Sequence, residues 1–193
     1  MSMCSKLNNL YFINKLKNKI DQDVILFGQD GMSYYGKLTE VDENNIAVLH
    51  PATLSSTNLV EIQNPAEVAA VENQAIIDLC YTVGFGYKIE ADPFVLPNDD
   101  AEDVPEPASP SQVESDECEC NHDALIDKLE DLQPLVTIAT LGGFLIAGEL
   151  ISVKQNTAKL KTEYIFAPGG DGSTLFSINR VLVNLEAATA VAS

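Results

Sequence analysis

Apolar residues recur at Leu7, Leu10, Ile13, Leu16 and Ile20, three or four positions apart, with Lys15, Lys17 and Lys19 among them. That spacing predicts an amphipathic helix over Leu7 to Ile20. The period then changes. Val24-Ile25-Leu26-Phe27 is a short unbroken apolar run, and Asp30-Gly31 follows it. A short run closed by a turn dipeptide predicts a strand entering a hairpin. The returning strand, Met32 to Asp42, carries Gly36 in its middle. A mid-strand glycine predicts a bend or a bulge. A third strand is predicted over Asn45 to His50.

The same pattern returns later in the chain. Ile13-Asn14-Lys15-Leu16 matches Ile126-Asp127-Lys128-Leu129. Residues 23–44 match 135–156 without a gap, with identities at Val24/Val136, Gly31/Gly143, Gly36/Gly148, Leu38/Leu150, Val41/Val153 and Asn44/Asn156. Asn73 to Leu79 matches Asn179 to Leu185. Matches in the same order, including two glycines with backbone meaning, predict a tandem structural repeat. Gly31 and Gly143 are expected in equivalent turns, and Gly36 and Gly148 at equivalent bends. Each repeat reads as a short helix and about five short strands. A sheet this small is expected to close into a barrel, because closure removes exposed edges.

Charge separates the repeats. The chain has a net charge of -18. Residues 1–91 hold six lysines against eleven acids, and residues 123–193 five basic residues against eight acids. Residues 92–122 hold ten acids, five prolines and no lysine or arginine. The organisation read from this is a first module at 1–91, an acidic, disordered, Pro-rich linker at 92–122, and a second module at 123–193. Affinity for nucleic acid rests on cations that neutralise phosphates. The basic cluster legible in the sequence is Lys6, Lys15, Lys17 and Lys19, read as the solvated side of the first helix. Nucleic acid is therefore not an expected partner. No apolar run is long enough to span a bilayer, so membrane insertion is not expected. The first residues lack the apolar core of a secretory signal. This leaves the cytosol, or a route outward without a cleaved signal.

Val24-Ile25-Leu26-Phe27, Asp30-Gly31, Gly36-Lys37-Leu38 and Val41-Asp42 together resemble the first motif of the Sm-like barrels. That group includes the eukaryotic Sm proteins and the bacterial RNA chaperone Hfq. The second repeat keeps Gly143, Gly148, Leu150 and Val153 but lacks the aspartates. The resemblance implies a mainly β fold of two small, bent, five-stranded Sm-like or SH3-like barrels, each preceded by a short α-helix. Phe176-Ser177-Ile178-Asn179-Arg180-Val181 is similar in spacing to the second Sm motif. It lacks the Arg-Gly of Sm proteins and the Lys-His of Hfq, so RNA binding does not carry over. The last hairpin, from Leu175 to Val181, also resembles short domains of spore-coat and surface-layer proteins of Gram-positive spore formers. That likeness would place the chain in such a layer.

Candidate chemistry is sparse. Cys118, Cys120 and His122 have ligand-type side chains within five residues, and are weak metal candidates because a structural site needs four ligands. Disulfides between subunits, through Cys4, Cys118 and Cys120, are the other reading. Cys80, in an apolar run, is expected to be buried. His50 has no nucleophile near it in sequence. Glu40, Asp42 and Glu43 read as a turn. Gly84-Phe85-Gly86 and Gly169-Gly170-Asp171-Gly172 fit no phosphate loop and also read as turns. No cofactor motif and no catalytic set is present, so an enzyme is not expected.

The expected function is non-enzymatic assembly. Sticky terminal strands, with Ile76, Ile77 and Leu79 in the first repeat and Val181, Leu182, Val183 and Leu185 in the second, are expected to add to the sheet of another module. The partner would be the other repeat, a second copy in a homo-oligomer, or another structural subunit. The alternative is an Sm-like regulator that binds RNA or protein.

Overall fold

The structure is a computed structural model, and it describes residues 9–64, 67–90, 135–168 and 178–192, together with Pro93, Ile126 and Leu129. The acidic stretch, with Cys118, Cys120 and His122, lies outside the described residues apart from Pro93, as do Cys4, Lys6 and the glycine-rich loop 169–172.

One short helix, α1 (Leu10–Lys17), precedes the first strands. Asn9 caps it, its side-chain oxygen accepting from the backbone N–H of Phe12 at 3.0 Å. Lys15 and Lys17 lie in the last turn, where the helix dipole favours cations. Phe12, Ile13 and Leu16 form the buried face. The helix stops three residues short of the expected Ile20, which is exposed beside a turn ending at Asp21 with φ +69°. In the second repeat Ile126 and Leu129 are helical, and Leu129 is buried.

The strands form one antiparallel sheet. The first repeat supplies β1 (Asp23–Gly28), β2 (Ser33–Val41), β3 (Ile46–His50), β4 (Val60–Asn64), β5 (Glu67–Glu72), β6 (Ala75–Asp78) and β7 (Thr82–Ile89). The second supplies β8 (Leu135–Thr140), β9 (Leu145–Lys154), β10 (Thr157–Phe166), β11 (Ile178–Asn184) and β12 (Ala188–Ala192). The order across the sheet is β12-β8-β9-β10-β11-β7-β1-β2-β3-β6, with β4 and β5 as a hairpin on β2. Neither repeat closes on itself through its last two strands: β6 pairs with β3 and β7 with β1, not with each other. The expected self-closure is thus replaced by a continuous sheet that runs from one repeat into the other.

The pairing registers of the two repeats coincide. Val24 pairs with Gly36 and Val136 with Gly148. Leu38 pairs with Leu49 and Leu150 with Leu160, with a bulge at Thr39 in one and at Ile151 in the other. The bends have the same cause. A Cβ on Gly36 would come within 2.7 Å of the His50 carbonyl oxygen, and one on Gly148 would overlap the Lys161 carbonyl. The hairpin turns also match: Gly31 N–H bonds Gly28 O at 3.1 Å and Gly143 N–H bonds Thr140 O at 3.0 Å. Gly31 and Gly143 have φ of +81° and +82°, the left-handed region glycine occupies freely.

Two differences separate the repeats. From Val41 to Ile46 the chain takes one residue more than from the equivalent Val153 to Thr157, so Asn156 is equivalent to Asn45, not to Asn44 as the ungapped match had it. Leu79 N–H bonds Asn45 O at 2.9 Å and Leu185 N–H bonds Asn156 O at 2.8 Å. The first repeat also has more than five strands. β10 runs unbroken beside β9, but its counterpart stops at His50 and resumes as β4. Pro51 stands where β10 has Thr162, and proline has no N–H to continue the ladder.

Two apolar cores lie on opposite faces of the central strands. Val24 and Leu26 join α1 in one core, while Ile25 and Phe27 join the second-repeat core of Ile138, Phe144, Ile146 and Val183. A strand buried on both faces is apolar at every position, which explains the unbroken Val-Ile-Leu-Phe run.

Candidate functional site at the junction of the two repeats

The junction is a strand pair. β11 lies antiparallel to β7, with Val181 opposite Gly86, Leu182 opposite Phe85 and Val183 opposite Gly84. Gly84-Phe85-Gly86 is therefore the middle of a strand, and its reading as a turn is overturned. The glycines are there for close approach. A Cβ on Gly86 would lie 2.6 Å from Ile178 Cγ2 and 2.8 Å from Ile25 Cγ2, and one on Gly84 3.0 Å from the Leu182 carbonyl oxygen. Leu182 inserts into the α1 core beside Phe85.

Asn9 ties the helix to the second repeat. Its side-chain amide faces Asn156 O at 2.9 Å, Thr157 Oγ1 at 3.1 Å, Asn184 Oδ1 at 3.1 Å and Gln155 O at 3.2 Å. One buried residue thus caps α1 and fastens it across the junction.

The repeat makes the edges comparable. β6 in the first repeat is equivalent to β11 in the second, and β7 is equivalent to β12. Asp78 and Asn184 both cap a 3-10 turn, accepting from Cys80 N–H at 2.9 Å and Glu186 N–H at 3.2 Å. By this register Ile76 is equivalent to Leu182. Leu182 is 5% exposed in the junction, whereas Ile76 is 69% exposed on β6, which ends the sheet. Ile76 and Tyr81 border a hollow of about 320 Å³ at that edge. The opposite end of the sheet is β12.

A smaller cavity of about 200 Å³ opens at the junction between α1 and the β9–β10 hairpin. Lys15 of the helix, Lys19 of the turn that follows it, Lys154 and Lys159 of the hairpin, Tyr87 and Ser152 line it. The Lys19 ammonium sits 4.1 Å from the centre of the Tyr87 ring, and Lys15 sits 4.8 Å from that of Tyr11. Burial, and then the charges of Lys159, Lys88 and Lys15, hold Lys19 below the usual lysine range. Among the described residues the ion pair present is Lys37–Asp21 at 3.6 Å, away from this cavity. Lys15 and Lys19 are thus not simply a solvated helix side, because folding brings cations of both repeats together.

The remaining candidates are dispersed. Leu79 and Leu185 are buried one position beyond β6 and β11, Ile77 is buried on β6, and Val181 and Val183 are buried in the junction. Cys80 is half-buried in a 3-10 turn rather than fully enclosed. His50 is exposed at the end of β3. Asp42 holds its turn by accepting from Ile46 and Asn44 N–H, each at 2.8 Å. Among the described residues no group of three His, Cys, Asp or Glu side chains is placed to hold a metal, and no described helix is long and apolar enough to cross a membrane.

No family model and no curated protein matches the chain. Among solved structures it is similar over part of its length to an Sm protein of Pyrococcus abyssi in complex with a uridine heptamer. That match has 18% identity and a TM-score of 0.31, covering 38% of this chain and 92% of the other.

Proposed function

We propose that this chain is a non-enzymatic assembly protein of two Sm-like barrel modules, whose terminal strands join copies head to tail. The carrying observation is the contrast between Leu182 and Ile76, equivalent positions of which one is buried by the neighbouring repeat and the other is bare. The internal junction supplies a template for the missing one. If β6 of one copy meets β12 of the next as β11 meets β7, then Ile76 faces Val191, Ile77 faces Ala190 and Ala75 faces Ala192. A head-to-tail contact of this kind generates a ring if its rotation closes and a filament or sheet if it does not. Unpaired edge groups and an exposed isoleucine favour such addition.

Sedimentation velocity on the full chain tests this, with electron microscopy to give the shape. The reading predicts species larger than a monomer at high micromolar concentration, and their loss in Ile76→Lys. Going from 69% to 5% exposed removes most of an isoleucine from water, worth roughly 1–2 kcal/mol per contact, so the substitution should weaken association by about five- to thirtyfold. A wild-type chain that stays monomeric would refute the proposal.

A further inference from the structure

We propose that the cavity between α1 and the β9–β10 hairpin is a binding site for a compact, multiply charged free phosphate anion, one per chain.

The first argument is composition. The chain carries 29 acids and 11 basic residues, yet among the described residues the cavity is lined by four lysines and no carboxylate. Lys88 adds its field at Lys19, and Arg180 adds its field at the adjoining Tyr87. Six of the eleven basic residues therefore act on one spot, although they come from four strands, a helix and the turn after it.

The second argument is energetic. Cations held together repel one another, and a half-enclosed site weakens solvent screening of that repulsion. The fold accepts this at Lys19 with no acid among the described residues that line the cavity, and uses the faces of Tyr11 and Tyr87 to hold two of the ammonium groups. A bound anion would turn this repulsion into attraction. Ammonium groups act as compact point charges suited to phosphoryl oxygens, and the Ser152 hydroxyl offers a neutral donor beside them.

The third argument is size and uniqueness. A volume of about 200 Å³ falls below the roughly 300–1,000 Å³ of sites for drug-sized ligands, which favours a small anion. The site is also absent from the other edge. Where the second repeat has Ser152, Lys154 and Lys159, the first has Glu40, Asp42 and Val48. Copies joined through β6 would not create a second one, so the stoichiometry is one per chain whether or not chains assemble.

Isothermal titration of the full chain with pyrophosphate at constant ionic strength tests the proposal, with sodium sulfate and a short oligouridylate as separate arms. The expected result is saturable binding near one per chain, preferring pyrophosphate to sulfate. Binding should weaken at least tenfold in Lys159→Gln and in Lys154→Gln, with Lys161→Gln, on the same hairpin but outside the cavity, unchanged. Wild-type thermal stability should rise with pyrophosphate, and the lysine variants should lose that rise while keeping their own melting transition. Absence of saturable pyrophosphate binding, equal binding by the cavity variants, or oligouridylate binding without pyrophosphate binding would each overturn it.

Discussion

Asn9→Asp separates two roles that one side chain performs. Aspartate caps a helix about as well as asparagine, so the bond to Phe12 N–H survives and the capping cost is close to zero. What is lost lies across the junction. The asparagine amide has two hydrogens, so at any moment it serves two of the four oxygens that surround it. Two buried hydrogen bonds contribute about 0.5–1.5 kcal/mol each, and acceptors left unserved cost more. A carboxylate placed against those oxygens adds repulsion, which brings the expected loss to roughly 2–4 kcal/mol at neutral pH. The new carboxyl group should have a folded pKa raised above its unfolded value, because only its protonated form can donate. Its deficit should therefore shrink below the unfolded carboxylate range and grow as pH rises through the folded pKa. Urea unfolding at pH 7 and pH 4 measures both effects. A variant within about 0.5 kcal/mol of wild type at pH 7, the scatter usual for innocuous surface changes, would show that Asn9 is only a helix cap.

Other changes probe the repeat and the junction. Gly36→Ala and Gly148→Ala should each cost at least about 1 kcal/mol, with Gly148 the more sensitive because its Cβ meets backbone more closely, as thermal unfolding would show. Gly86→Ala should cost about 1–3 kcal/mol by overpacking, and Ile178→Ala should show a favourable coupling with it in a double-mutant cycle, because it removes Cγ2, the nearest atom. Hydrogen bonds from Ile46 and then Asn44 hold the Asp42 carboxyl below the usual carboxylate range, although the group is exposed. Its contribution is present above the unfolded carboxylate range and lost as pH falls through the folded pKa, so the stability gap to Asp42→Ala, followed by urea unfolding, should close in acid.

What could be read from the sequence depended on how local each cause was. Gly31 and Gly143 answer to the turn they sit in, and the apolar runs answer to strand burial, so both left marks along the chain. Gly84 and Gly86 answer instead to Leu182 and Ile178, more than ninety residues away. Nothing nearby distinguished them from turn glycines. Pro51 was visible, and Val60-Glu61-Ile62-Gln63 alternates in β4, but its hairpin partner β5, Glu-Val-Ala-Ala-Val-Glu, has no alternation to announce it. The cation cavity was hidden for the same reason as the junction glycines: Lys15 and Lys19 are read on a helix, Lys154 and Lys159 on a hairpin, and only the β11–β7 pairing puts them together. Asn9 gave a capping signal at most, since its four oxygen neighbours all belong to the second repeat.

The pairing of β11 with β7 inside one chain also imposes a parity. That contact uses one edge of each repeat before any second copy arrives, leaving β6 and β12 as the two ends of an indivisible pair. Copies added through those ends bring repeats two at a time. Any closed assembly built this way contains an even number of repeats, and its true rotational symmetry is half the apparent one. In such an assembly successive seams would alternate between a lysine-lined cleft and one bordered by Glu40 and Asp42, so a ring or fibre built this way would carry a charge pattern with twice the spacing of its shape.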